Sequence, residues 1–87
     1  MGSTSDESKM SKAKETLEEF GIEYEWKVLS AHRNPDKVVN LVSTARENGF
    51  VAFICGAGMA AHLAGVVAAH TTLPVVGVPL SGGALNG

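Results

Sequence analysis

Seven Lys and Arg and nine Asp and Glu all fall between Asp6 and Glu47; from Asn48 to Gly87 there are none. A half-chain without formal charge has to be largely buried, in its own fold, in a partner or in a membrane. Val51 to Ala69 is long and apolar enough for a hydropathy window to flag it. Gly56, Gly58, Gly65 and His62 interrupt that run, and no Lys or Arg anchors its far end, so no transmembrane span is expected. At 87 residues the chain is one small domain at most, with a thin core. A net charge of −2 leaves no dominant basic surface, which argues against nucleic acid as a partner. The single Cys55 cannot form an internal disulfide and fits a reducing, cytoplasmic compartment. No basic segment followed by an apolar one opens the chain, so no signal peptide is expected.

Along the chain, helical and extended patterns alternate. Met10, Ala13, Leu17 and Phe20 form a helical stripe that Gly21 stops, with Ser5 or Asp6 as its cap. Ile22, Tyr24, Trp26 and Val28 alternate with Glu23, Glu25 and Lys27, which predicts a strand over Glu23–Leu29 with one wet face. Asn34-Pro35-Asp36 reads as a helix start, Val38, Val42 and Ala45 continue it, and Gly49 closes it. Phe50 to Cys55 is a continuous apolar run, as a strand buried on both faces requires. Gly56-Ala57-Gly58 reads as a tight loop, Ala60 to Ala69 as a buried helix, and Pro74 to Val78 as a further strand weakened by Gly77. Ser81 to Gly87 reads as a loop of small residues. The order αβαβαβ implies a parallel sheet covered on both faces. A polar strand-to-helix loop with no strand before it, and an ending in a loop, predict a single partial domain over residues 1–87.

In open α/β sheets, ligands bind outside the carboxyl ends of the strands, where three loops qualify. Gly2-Ser3-Thr4-Ser5-Asp6 offers backbone N–H groups and hydroxyls to an anion, and Asp6 an acceptor for sugar hydroxyls; ordinary helix capping needs only one of these residues. In Ser30-Ala31-His32-Arg33-Asn34-Pro35, Arg33 suits bidentate phosphate recognition and His32 proton transfer, although a solvated loop with two incidental polar residues reads the same way. Gly56-Ala57-Gly58 allows close backbone approach to a ligand, with His62 on the helix that follows. It is not the dinucleotide fingerprint, because the third Gly and the later acid are absent. His62 taken alone is more simply a satisfied helix histidine. His70 sits where it favours the helix dipole, Met59 reads as packing, and Cys55 as an inert buried thiol.

Together, Met-Gly-Ser-x-Ser-Asp, Ser-Ala-His-Arg-x-Pro and Gly-Ala-Gly-x-Ala-Ala-His-Leu resemble the PurE family, carboxyaminoimidazole ribonucleotide mutases of de novo purine synthesis. Leu73-Pro74-Val75-Val76-Gly77-Val78-Pro79 and Ala84-Leu85-Asn86-Gly87 extend the resemblance along the chain in order. The family's carboxylase branch typically carries Lys after Ser-Ala-His and Gly-Arg-Ser-Asn in the third loop. Arg33 and Gly56-Ala57-Gly58 therefore resemble the mutase branch. Met59 stands where Gly is frequent and Ala64 where Pro is, which bears on the shape of the third loop. The resemblance implies a flavodoxin-like three-layer α/β/α fold with a parallel sheet, truncated at both ends. Family members have an apolar strand before Gly-Ser-x-Ser-Asp and continue beyond this length to build a homo-octamer. The 87 residues alone are then expected to lack a central strand, to expose apolar surface and to be aggregated or molten, without mutase activity.

The implied reaction moves a carboxylate from the exocyclic amine of an imidazole ribonucleotide to a ring carbon, with carbon dioxide trapped between the two steps. The resemblance implies no metal or organic cofactor. It makes His32 the proton-transfer group and gives the ribose and phosphate to Ser3, Ser5, Asp6 and Ser30, with Arg33 on the phosphate. Gly56, Ala57 and Gly58 would approach the imidazole and carboxylate, and His62 would add a hydrogen bond. An aminoimidazole ribonucleotide carboxylase, an inactive fragment and a non-catalytic nucleotide-binding α/β domain are the competing readings.

Overall fold

A computed structural model describes residues 1–2, 4–58, 62–82 and 85–86. The readings of Ser3 as a ligand contact, of Met59 as packing and of Ala60 as a helix start lie outside the described residues. A short 3₁₀ turn, Thr4–Asp6, leads into α1, Glu7–Glu19. Then come α2, Pro35–Ser43, β1, Phe53–Ala57, α3, His62–Ala69, and β2, Val75–Pro79. The tail holds β3, Ser81–Gly82, and β4, Leu85–Asn86.

The sheet forms where two short apolar runs return to the same place. β1 and β2 pair in parallel, Phe53 opposite Val75 through Ala57 opposite Pro79, with α3 as the crossover between them. The Phe53 N–H donates to the Pro74 carbonyl at one end and the Leu80 N–H to the Ala57 carbonyl at the other. Side chains alternate across a strand. Cys55 therefore faces the cluster that Val38 and Val42 of α2 make with Leu63 and Val67 of α3. Gly56 faces the opposite way and meets Met10 of α1, whose thioether occupies the space where a β-carbon would stand. The result is a parallel α/β unit of flavodoxin-like type, with α2 and α3 on one face and α1 on the other. On the α3 side Gly77 lets Ala64 approach, since an added β-carbon would lie 3.2 Å from the Ala64 methyl.

The helix signals are met with local differences. Gly21 and Gly49 adopt φ of 67° and 87°, the left-handed region in which only glycine is unstrained; Gly21 follows the end of α1 as expected, whereas α2 already ends at Ser43 and Gly49 closes the turns that follow it. Pro35 stands in the first turn of α2, and Val38, Val42 and Ala45 are buried. Asp6 occupies the cap position of α1 but makes no capping bond, because the 3₁₀ turn already carries helical backbone up to it. Asn34 does not cap α2 either; its side-chain oxygen accepts from the Ser30 N–H at 3.4 Å. Phe20 follows the end of α1 and is 72% exposed, so the buried stripe is Met10 with half-buried Ala13 and Leu17.

Four strand and loop expectations are corrected. Glu23–Leu29 is extended but forms no strand ladder, since its backbone meets only Met1: the Met1 N–H donates to the Lys27 carbonyl at 3.1 Å and the Leu29 N–H to the Met1 carbonyl at 2.8 Å. Side chains hold this segment to α1 instead. The Tyr24 hydroxyl donates to Glu18 Oε1 at 2.6 Å, and the Lys14 ammonium lies 5.7 Å from the centre of the Trp26 ring. The strand expected at Phe50–Cys55 runs Phe53–Ala57, because the Phe50 N–H still bonds back to the Ala45 carbonyl. Gly56 and Ala57 are consequently strand residues and not a loop. The small-residue tail contains a two-pair antiparallel ladder between β3 and β4, not loop alone.

The uncharged half is less buried than its composition suggests. Val51, Ile54 and Val76 are exposed, so the sheet is not covered throughout on the α1 side. The helix read as buried sinks Leu63 and Val67 into the core and packs half-buried Ala64 and Val66 against it, leaving Gly65 and Ala68 exposed. No helix among the described residues is long and apolar enough to cross a membrane.

Candidate active site

The loop after the extended segment is shaped by its own serine. Ser30 Oγ accepts from the backbone N–H of both His32 and Arg33 at 3.2 Å, and the Asn34 N–H donates to the Ser30 carbonyl at 2.8 Å. These bonds wind Ala31–Arg33 into a turn that leaves both the His32 and the Arg33 side chains exposed. Helix α2 then starts at Pro35, so the turn stands on a fixed base packed through Val38 and Val42.

Two contacts bring the neighbouring loops to it. The Arg33 guanidinium donates to the Gly2 carbonyl at 3.4 Å, which joins the first loop to the second. The His32 and His62 rings lie 5.1 Å apart at an interplanar angle of 52°, which joins the second loop to the start of α3. Gly58 follows the carboxyl end of β1 and is half-buried. The serine, arginine and histidine loops therefore meet where open α/β sheets place ligands. Ser5 is exposed and Asp6 half-buried on the 3₁₀ turn beside them.

The structure separates the third loop's glycines. Gly56 is buried under Met10, so its lack of a side chain has a packing reason, whereas Gly58 stands beyond the strand. Ser30 is a loop-former as well as a candidate ligand contact. Asn34, read from sequence only as a helix start, braces the serine; the Ser-x-x-x-Asn spacing is the signal for that role. The carbonyl of Gly2 as a partner for Arg33 has no signal in sequence, because the residues are far apart along the chain. Cys55 stays in the core, where burial pushes its thiol pKa up and keeps the less reactive protonated form. Among the described residues, no three His, Cys, Asp or Glu gather as metal ligands would.

Comparison with known proteins gives the same family as these loops. The AIR carboxylase family pattern matches residues 1–87. N5-carboxyaminoimidazole ribonucleotide mutase of Bacillus subtilis is 55% identical over all 87 residues, which make up 54% of that protein. The mutase of Pyrococcus abyssi is 52% identical over the same span, 50% of its length. Phosphoribosylaminoimidazole carboxylase of Schizosaccharomyces pombe is 53% identical over all 87 residues, 16% of that protein. The chain spans about half the length of the mutases it matches. With a whole-chain family match, relatives above half identity and three loops converging on one end of a parallel sheet, the chain belongs to the AIR carboxylase family.

Proposed function

We propose that this chain carries the nucleotide-handling and proton-transfer loops of a carboxyaminoimidazole ribonucleotide mutase. The observation that carries this reading is the 55% identity of all 87 residues to the Bacillus subtilis mutase. The meeting of His32, Arg33 and His62 at one end of the sheet supports it.

In the proposed reaction, the bond between the exocyclic nitrogen and its carboxylate breaks and releases carbon dioxide, while His32 gives a proton to that nitrogen. The electron-rich ring carbon then attacks the carbon dioxide to form the new carbon–carbon bond. His32 takes the proton this carbon loses, so the histidine ends as it began. Arg33 holds the phosphate: its planar fork carries more donors than the single 3.4 Å bond to Gly2 uses. Ser3, Ser5, Asp6 and Ser30 bind the ribose and phosphate end. Ala57 and Gly58, at and beyond the carboxyl end of β1, line the imidazole and carboxylate side, with His62 adding a hydrogen bond. Small apolar walls there keep water from the carbon dioxide. The working enzyme is a cytoplasmic homo-octamer in this reading.

The whole-chain match to the Schizosaccharomyces pombe carboxylase favours a second reading, direct carboxylation of the aminoimidazole ribonucleotide. A chimera in which these 87 residues replace the matching half of the Bacillus subtilis mutase tests both. It should consume the N-carboxylated ribonucleotide and should not fix free carbon dioxide onto the ring carbon of the aminoimidazole ribonucleotide at a comparable rate; the opposite preference selects the carboxylase. In the chimera, His32→Asn should lower turnover at least about 100-fold with binding retained. Arg33→Ala should weaken nucleotide binding by about 1.5–3 kcal/mol in calorimetry. Near-normal turnover in the first variant, or unchanged affinity in the second, removes that residue from its role.

A further inference from the structure

The His32 and His62 rings lie 5.1 Å apart, centre to centre, yet both side chains are exposed. The contact buries neither ring, so core packing does not account for it. Each ring stands on a fixed base. The turn that carries His32 is held by the two bonds to Ser30 Oγ and by the bond from the Asn34 N–H to the Ser30 carbonyl. His62 opens α3, which packs through Leu63 and Val67 against Val38 and Val42 of α2. The core therefore sets how far apart the two histidines stand.

That distance has a chemical meaning. An imidazole nitrogen bonds zinc at about 2.0–2.1 Å, which puts the ion about 3.2 Å from the ring centre. Two such rings at the tetrahedral angle have their centres about 5.2 Å apart. The right angle of a square-planar site would bring them to about 4.5 Å. The observed 5.1 Å matches the tetrahedral arrangement, which is the one zinc takes. At 52° the ring planes are neither stacked nor coplanar, and exposure leaves each ring room to aim a nitrogen at one point between them.

We propose that His32 and His62 together form a two-imidazole site for a zinc ion. Among the described residues no third His, Cys, Asp or Glu joins them, so water completes the tetrahedron. A site that keeps open positions takes up its ion reversibly and is not a structural centre. Arg33 adds a positive charge to the same turn, which limits affinity for a cation. Bound zinc ties the second loop to α3 and occupies a nitrogen lone pair of His32. The site stands on the ring geometry; inhibition of turnover rests in addition on the proton-transfer role proposed for His32.

Calorimetric titration of the 87-residue chain with zinc chloride should show saturable binding of one zinc per chain at micromolar zinc. The side-chain nitrogen resonances of His32 and His62 should move, and those of His70 should not. His32→Asn and His62→Asn should each weaken binding at least about tenfold. The double variant should lose little more than either single one, since a chelate needs both rings. His70→Asn should bind as the parent chain does, and Arg33→Ala should bind more tightly. No saturable binding up to millimolar zinc, parent-like binding by either single-ring variant, or one zinc per two chains overturns the proposal. In the chimera, zinc should inhibit turnover and a chelator should restore it. Zinc binding to the histidine pair without inhibition upholds the site and removes His32 from proton transfer.

Discussion

Residues 22–29 and residues 53–57 make an instructive pair. The first has the better strand sequence: strict alternation, with Ile, Tyr, Trp and Val on one side. The second, Phe-Ile-Cys-Gly-Ala, contains a glycine and no alternation. Yet the second is paired and the first is not. A strand pattern is a property of the segment, whereas a ladder is a property of two segments. β1 has β2 brought beside it by α3; residues 22–29 have one residue, Met1. The paired region is held by main chain and core, and the unpaired one by Tyr24, Trp26 and their partners on α1.

The largest test of this contrast is side-chain truncation on each side of it. Leu63→Ala, under β1 and 7% exposed, should cost about 2–5 kcal/mol in urea unfolding. Ile22→Ala, 53% exposed, should change stability by no more than about 0.5 kcal/mol. Equal losses would mean that residues 22–29 are as much part of the core as β1. Proline separates the backbones next. Phe53→Pro removes the donor to the Pro74 carbonyl and should cost roughly 1–3 kcal/mol beyond the lost ring contacts, read against Phe53→Ala. Glu25→Pro removes an N–H that meets no other described backbone group and should leave the unfolding midpoint nearly unchanged.

The smallest effect concerns the side-chain attachment itself. The hydrogen bond to Glu18 pushes the Tyr24 pKa up to about 12. A raised folded pKa means that this contribution is whole below about pH 10, the usual tyrosine value, and is lost as pH rises through about 12. Tyr24 is the single tyrosine, so tyrosinate absorbance should show a midpoint near 12 that falls toward 10 in Glu18→Ala. A wild-type midpoint near 10 would mean that Tyr24 does not hold the segment to α1.

Local chemistry was readable from sequence where one residue type decides the outcome. Gly21 ends α1 because of its backbone freedom, and Pro35 opens α2 because its missing N–H costs nothing there. The loop contents were readable too, since Ser30, His32 and Arg33 are contiguous. What joins the loops was not: the Arg33 bond to Gly2 and the His32–His62 contact depend on how the sheet is threaded. β1 starts at Phe53 and not at Phe50, because an apolar run does not say which of its residues will find a partner. The absence of charge after Glu47 suggested burial, but Val51, Ile54 and Val76 are exposed, because charge depletion restricts what a surface can contact without covering it.

Met10 and Gly56 share one volume across the boundary between α1 and the sheet. The site is therefore a record that homologous sequences should keep in correlated form. Where position 56 carries a side chain, position 10 should be smaller or turned aside; where position 10 is long, position 56 should be bare. A substitution at either position arriving alone meets resistance that the second one relieves, so the two should change together over descent.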